Sequence, residues 1–332
     1  MPNPSRPRAS RARRPARTPR RPARALFAAL PALLAALGLA TPPAAADPAP
    51  DAAARAATPL MDEDLTPLGA EIYQGRAFDT CEAPSLTAMR DWLASPYRGV
   101  GVYIGGHGRA CPEQANLTPA WARDVTALGW HLLPLYVGSQ SPCVRNRDKS
   151  AVPIDASRPR RQGEEEAKDA LDAARALGMT AGSPVYLDIE DYDHTDQRCA
   201  ATTLAFVQGF SRAVREAGWI PGVYSSAGSG ITHLESARRA GTPDLPDVLW
   251  YARWNGTVSP GVDSLNDEPS LDPAAWQPHR RIHQYAGDVR ETHGGRTISI
   301  DRNLVHAPVA VLAPAAEDDD GPAEDDDRSS EG

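Results

Sequence analysis

The sequence lacks the residue spacings that several enzyme classes need. Its eight His hold a single H-x-x-x-H spacing, at His279 and His283, and no H-E-x-x-H, so the helical pair of imidazoles with a glutamate base that a zinc protease needs is missing. The four Cys contain no C-x-x-C pair, which argues against a zinc site. No G-x-S-x-G elbow is present for a serine nucleophile. The segment after the first strand-like run, FDTCEAPS, has no glycine-rich cradle for phosphate, which an open doubly wound sheet would place there. Positive charge is also missing where nucleic acid would need it. The formal net charge is −8, nine Arg are confined to residues 1–46, and an acidic run begins at Glu317. The body between them is acidic, which excludes phosphate-neutralising binding to nucleic acid.

Long apolar runs are scarce too. Leu26 to Ala40 is apolar but only 15 residues long, and Pro31 interrupts it. That is too short for a membrane span. The basic stretch before it and Ala44-Ala45-Ala46 after it predict a signal peptide over residues 1–46, cleaved before Asp47. Arg13-Arg14 or Arg20-Arg21 leaves both the twin-arginine and the general secretory route open. The expectation is a secreted, extracellular or cell-envelope protein with no stable membrane insertion after cleavage. Residues 47–68 are rich in Ala and Pro and read as a flexible linker. Residues 313–332 read as a disordered acidic tail. The folded domain is expected over 69–312.

Within that domain, strand-like and helix-like runs alternate. Strands are expected at Glu71 to Asp79, Gly99 to Gly106, Trp130 to Val137, Pro184 to Glu190 and Ile220 to Ser225. Helices are expected at Ser85 to Leu93, Thr118 to Leu128, Gln162 to Leu177, Thr202 to Ala217 and Ser229 to Arg239. Glu164-Glu165-Glu166 is read as a solvated first turn. Three further strands then follow without a strong helical pattern: Val248 to Trp254, Arg281 to Tyr285 and Thr297 to Asp301. The pattern predicts an α/β fold, an irregular TIM-like (β/α) barrel that is helix-poor after strand five. Its site should lie at the C-terminal ends of the strands.

Export permits disulfides. Cys81, Cys111, Cys143 and Cys199 each follow a different one of the first four strands, so all should meet the same rim. Three pairings are possible, and neighbouring strands favour Cys81–Cys111 and Cys143–Cys199. Asp188 and Glu190 alternate with Val185, Leu187 and Ile189 and share one strand face. Paired carboxylates in unlike environments suit glycosidic bond cleavage. Asp79 and Asp301 also fall at strand ends. Tyr136, Tyr224 and Trp254 could offer rings to a pyranose, and Gln284 could bond a sugar hydroxyl. His194, in the polar loop beyond Asp191, reads as solvent-facing.

The pieces RAFDTCEAPS, VGVYIGG, NLTPAW, GWHLLPLYVGSQ, PVYLDIEDYD, GVYSS, LWYARWNG, IHQYAG and ISIDRN occur in this order from Gly75 to Asn303. Together they resemble the secreted actinobacterial glycoside-hydrolase-like domain of unknown function, related to family 25 lysozymes. By that resemblance Glu190 is the general acid. Asp188 stabilises charge at the sugar ring or orients an N-acetyl group, while Asp79 and Asp301 bind substrate or tune the pair. Thr80 and Cys81 stand where those lysozymes usually carry a small aliphatic residue and serine. The implied partner is a cell-envelope polysaccharide, peptidoglycan among the candidates, with no cofactor and no metal. Two other classes are compatible with the same residues: a barrel that binds glycan without cutting it, and a metal-dependent phosphodiesterase.

Overall fold

The computed structural model describes residues 64–149, 151–254 and 262–314. The predicted signal peptide, most of the linker (47–63) and the acidic tail from 315 lie outside the described residues. The strands are β1 (Glu71–Asp79), β2 (Tyr97–Gly105), β3 (His131–Tyr136), β4 (Pro184–Asp188), β5 (Ile220–Ser226), β6 (Val248–Ala252), β7 (Arg281–His293) and β8 (Arg296–Val309). They close into one barrel in sequence order. The outer layer holds α1 (Leu86–Asp91), α2 (Pro119–Ala127), α3 (Pro159–Ala176), α4 (Gln197–Glu216) and α5 (Thr232–Arg239). No α-helix stands between β6 and β8 among the described residues. This is the α/β, TIM-like barrel expected, helix-poor in its last third.

The helix ends follow the local chemistry. Ser85, Thr118 and Asp196 each accept a bond from a backbone N–H of the following first turn, which satisfies a donor the helix cannot. Pro119 occupies the first turn of α2, where its missing N–H costs nothing. α4 begins five residues earlier than its periodicity suggests, because the Asp196 cap lies in what reads as a polar loop. α3 likewise begins at Pro159. Glu166 is not part of a solvated turn. It is buried, and its carboxylate accepts from Ser139 N (2.9 Å), Ser139 Oγ (2.6 Å) and Gln162 Nε2 (3.0 Å).

Alternation along the strands divides two cores. Ala77, Leu133, Leu135, Tyr186, Ile220, Val248, Trp250 and Val305 fill the barrel interior. Phe78, Val100, Leu132, Tyr136, Leu187 and Tyr251 face the helices. Interior rings lie over glycines: a Cβ on Gly222 would come within 2.4 Å of Tyr186, and one on Gly101 within 3.0 Å of Trp250. Leu65 is 2% exposed and belongs to the interior cluster. The folded domain therefore already includes Leu65, inside the stretch expected to be linker, because an apolar residue is needed to close the barrel floor.

β1 to β7 pair in parallel, but β8 runs antiparallel to both β1 and β7. A two-residue turn at Gly294-Gly295, both with positive φ, makes β7 and β8 a hairpin. Asp301 is thus not at the C-terminal end of its strand. It lies in the first half of β8, directly opposite Asp79. The reversed direction brings the early part of β8 to the rim where β1 to β7 end.

Candidate active site

Asp79, Asp188, Glu190 and Asp301 line a single open cavity of about 350 Å³ at that rim. β1 delivers Asp79, the end of β4 delivers Asp188 and Glu190, and β8 delivers Asp301. Gln140, from the segment after β3, fixes the β4 end. Its Nε2 donates to Asp188 O (2.8 Å) and its Oε1 accepts from Glu190 N (2.9 Å). The side-chain amide thereby supplies the pairing that β4 lacks beyond Asp188, and it sets the two acids on one face.

The acids occupy different environments. Asp79 is 2% exposed. Its Oδ2 accepts from Asn303 Nδ2 (2.7 Å) and Gln284 Nε2 (3.0 Å), and its Oδ1 from the Tyr103 hydroxyl (3.2 Å). Burial, followed by the charge of Asp301, pushes it up to about 7 against these bonds. Asp188 is also buried, and its Oδ1 has no partner. Burial first, then Glu190, holds it well above the usual carboxylate range; Lys149 opposes and Asp79 adds. Glu190 is partly exposed, and the Lys149 ammonium lies 3.8 Å from its Oε1. Burial also raises Asp301, against a bond from Asp288 N (2.7 Å) to its Oδ1.

Gln284 joins the acids to the aromatic residues. Its Oε1 accepts from Tyr224 OH and from Trp254 Nε1, both at 2.9 Å, while its Nε2 donates to Asp79 and reaches Asp301 at 3.5 Å. Trp254 is 55% exposed, and its ring lies against Gly287, where a Cβ would come within 2.1 Å. Tyr136 is not brought here. It is buried against the helical layer, near Phe210, and its hydroxyl donates to Asp169 of α3 (2.8 Å). β3 is apolar on both faces, so its pattern does not show which side chains point to the rim.

Sequence reasoning missed Tyr103, Asn303, Gln140, Lys149 and Arg109. Tyr103 shares its strand face with Gly101 and Gly105, and Asn303 shares one with Asp301, so alternation could have found both. The other three sit on loops, where no periodicity operates. His194 lies beside His233, with ring centroids 6.4 Å apart, and is absent from the cavity wall. Cys81–Cys111 and Cys143–Cys199 are bonded as expected, and the first pair lines the cavity.

A closed eight-stranded α/β barrel with an acid-lined cavity at its rim is the architecture of a glycoside hydrolase-like domain. Residues 90–305 match the family model described as Rv2525c-like, glycoside hydrolase-like domain. The match covers more than half of the chain, and the chain belongs to that family. No curated protein matches it. Among solved structures it is similar to the Tat-secreted protein Rv2525c of Mycobacterium tuberculosis, at 16% identity and a TM-score of 0.47, over 70% of this chain and 96% of that one. It is also similar to the spore cortex lytic enzyme SleM of Clostridium perfringens, at 16% identity and a TM-score of 0.45, over 74% and 68%. The modular autolysin LytC of Streptococcus pneumoniae is similar at 16% identity and a TM-score of 0.41, over 70% and 46%. Among the described residues, no helix is long and apolar enough to cross a membrane.

Proposed function

We propose that this protein is an exported glycoside hydrolase acting on a cell-envelope polysaccharide, with peptidoglycan the first candidate. The observation that carries the reading is the convergence of Asp79, Asp188, Glu190 and Asp301 on one open cavity. Glu190, the more exposed of the β4 pair, gives its proton to the glycosidic oxygen as the bond to the anomeric carbon breaks. Water adds to that carbon and returns a proton to the carboxylate. Asp188, whose charged form burial disfavours and whose Oδ1 has no partner among the described residues, orients an N-acetyl group by hydrogen bonding. The exposed Trp254 ring stacks on a sugar ring, with the Tyr224 hydroxyl holding the same Gln284. Gln284 keeps the indole and the acids in one arrangement.

The experiment compares release of reducing ends from purified cell wall by the unmutated protein and by Glu190→Gln. Removing the transferable proton should lower the rate by roughly 100-fold or more. No release by either protein across several polysaccharides would remove the reading. A leader over residues 1–46 further predicts that protein recovered outside the cell begins at Asp47, read by terminal sequencing.

A second reading, a barrel that binds glycan without cutting it, is favoured by the Lys149–Glu190 ion pair. A carboxylate engaged with an ammonium serves sugar hydroxyls as an acceptor. Saturable binding without turnover, undiminished in Glu190→Gln, would select this reading.

A further inference from the structure

Arg109 lines the same cavity as the four acids, yet no carboxylate pairs with it among the described residues. Its guanidinium is held by its own loop: Nε donates to Gly106 O (3.1 Å) and Nη1 to Tyr103 O (3.3 Å). A guanidinium carries five N–H donors in a fixed plane, so these two bonds orient the group, and among the described residues no other acceptor meets its donors. The side chain is half-buried. Elsewhere in the barrel, half-buried arginines meet acids: Arg253, just after β6, pairs with Glu268, and Arg302 of β8 with Glu291. The cavity is also uneven in charge. Asp301 and Asp288 stand on the flank formed by the β7–β8 hairpin, whereas Arg109, Lys149 and Asn146 stand on the flank formed by the loops after β2 and β3.

We infer that the glycan held in this cavity carries a carboxylate on its sugar, as a uronic acid does, and that Arg109 is the residue that recognises it. This rests on the glycan reading of the cavity. A guanidinium with a free edge matches a carboxylate in two parallel bonds, and the fixed plane selects orientation as well as charge. The acids nearby do not cancel the attraction. Lys149 lies 3.8 Å from Glu190, and burial disfavours the charged forms of Asp188 and Asp79. Among the described residues, Arg109 is then the cation on this wall with no carboxylate in ion-pair contact. Asn146 adds a neutral amide beside it for ring hydroxyls.

The test is calorimetric binding by the intact protein of two probes. One is a tetrasaccharide of alternating N-acetylglucosamine and glucuronic acid. The other is the same molecule with its carboxylates reduced to primary alcohols. The acidic probe should bind roughly tenfold tighter or better, as one charge-assisted contact implies. The preference should collapse in Arg109→Gln, survive in part in Arg109→Lys, and shrink as sodium chloride is raised. Equal affinity for the two probes would overturn the inference. So would a preference unchanged in Arg109→Gln, or inorganic sulfate displacing the acidic probe as well as free glucuronate does, which would make this a plain anion site. Should Arg109→Gln not fold, Arg109→Lys and the salt series on the unmutated protein decide. Because binding is read without turnover, failure of wall hydrolysis removes the hydrolase reading alone, and loss of the acidic preference removes this one alone.

Discussion

Asp79 shows how much one residue can hold in tension. Three donors converge on its carboxylate, yet burial and the facing Asp301 raise it from 3.8 to about 7. The folded state therefore keeps a proton that the unfolded chain releases. That contribution to stability is complete below about pH 4 and is lost as pH rises through about 7. Asp188, raised for the same reason, acts with the same sign. Asp79→Asn removes the titration while keeping the shape, since an asparagine with its oxygen toward Asn303 and Gln284 retains both bonds. Urea denaturation at pH 4.5 and pH 8 should show the variant gaining on the unmutated protein by a few kcal/mol at the higher pH. Parallel stabilities at the two pH values would mean that Asp79 is ionised throughout. At this scale the sequence was most informative where alternation operates. Asp188 with Glu190, and Asp301 with Asn303, follow from a period of two. Gln140, Lys149 and Arg109 do not, because each sits on a loop whose path depends on the assembled barrel. Tyr136 was misplaced because β3 is apolar on both faces.

Among the elements, α3 and α4 make the closest contact of the outer layer, and two glycines permit it. A Cβ on Gly163 would come within 2.1 Å of Phe206 O, and one on Gly209 within 2.0 Å of Arg160 O. Each glycine lets its helix touch the backbone of the other. Helix propensity alone would favour alanine at either position by about 1 kcal/mol. The contact reverses that, since the clash is with main chain and the two helices must separate. Gly163→Ala is expected to cost about 1–3 kcal/mol net, seen as a lower thermal midpoint; a rise in the midpoint would show that the helices are not packed this closely. Such contacts are invisible in sequence, where the same glycines read only as weak points in a periodic helix. The alternation of strand and helix was legible because each βαβ unit repeats it. The direction of β8 was not inferred, although Gly294-Gly295 between two β-rich runs is a hairpin signal. That turn decides the site: a parallel β8 would carry its C-terminal end, Val309, to the rim, and Asp301 would fall below it.

For the whole molecule, both disulfides sit on the rim that carries the cavity, and they should differ in what they support. They close chain separations of 30 and 56 residues, worth roughly 4 kcal/mol each in the chain-entropy account. Cys143–Cys199 ties the segment after β3 to the first turn of α4. That segment has other anchors: Arg145 N donates to Asp191 O (2.8 Å), and the Arg145 guanidinium meets the Asp191 carboxylate at 3.2 Å. Cys81–Cys111 itself forms part of the cavity wall, between Asp79 and Arg109. Its segment is also held by Gln114, whose Nε2 donates to Cys81 O (2.8 Å) and Cys111 O (3.1 Å), and by Asn116 and Trp121, which donate to Ala83 O (2.9 Å) and Pro84 O (2.8 Å), but none of these bonds spans the wall from Cys81 to Arg109 directly. Replacing either pair by serines is therefore expected to lower unfolding free energy by about 2–4 kcal/mol. Below both midpoints, glycan affinity should fall only for the Cys81/Cys111 variant, because that loss widens the wall that positions Arg109. Denaturation curves give the first quantity and calorimetric titration the second. Equal losses of affinity in the two variants would mean that the rim moves as one body, with the anchors at Asp191 too weak to hold the Lys149 segment alone.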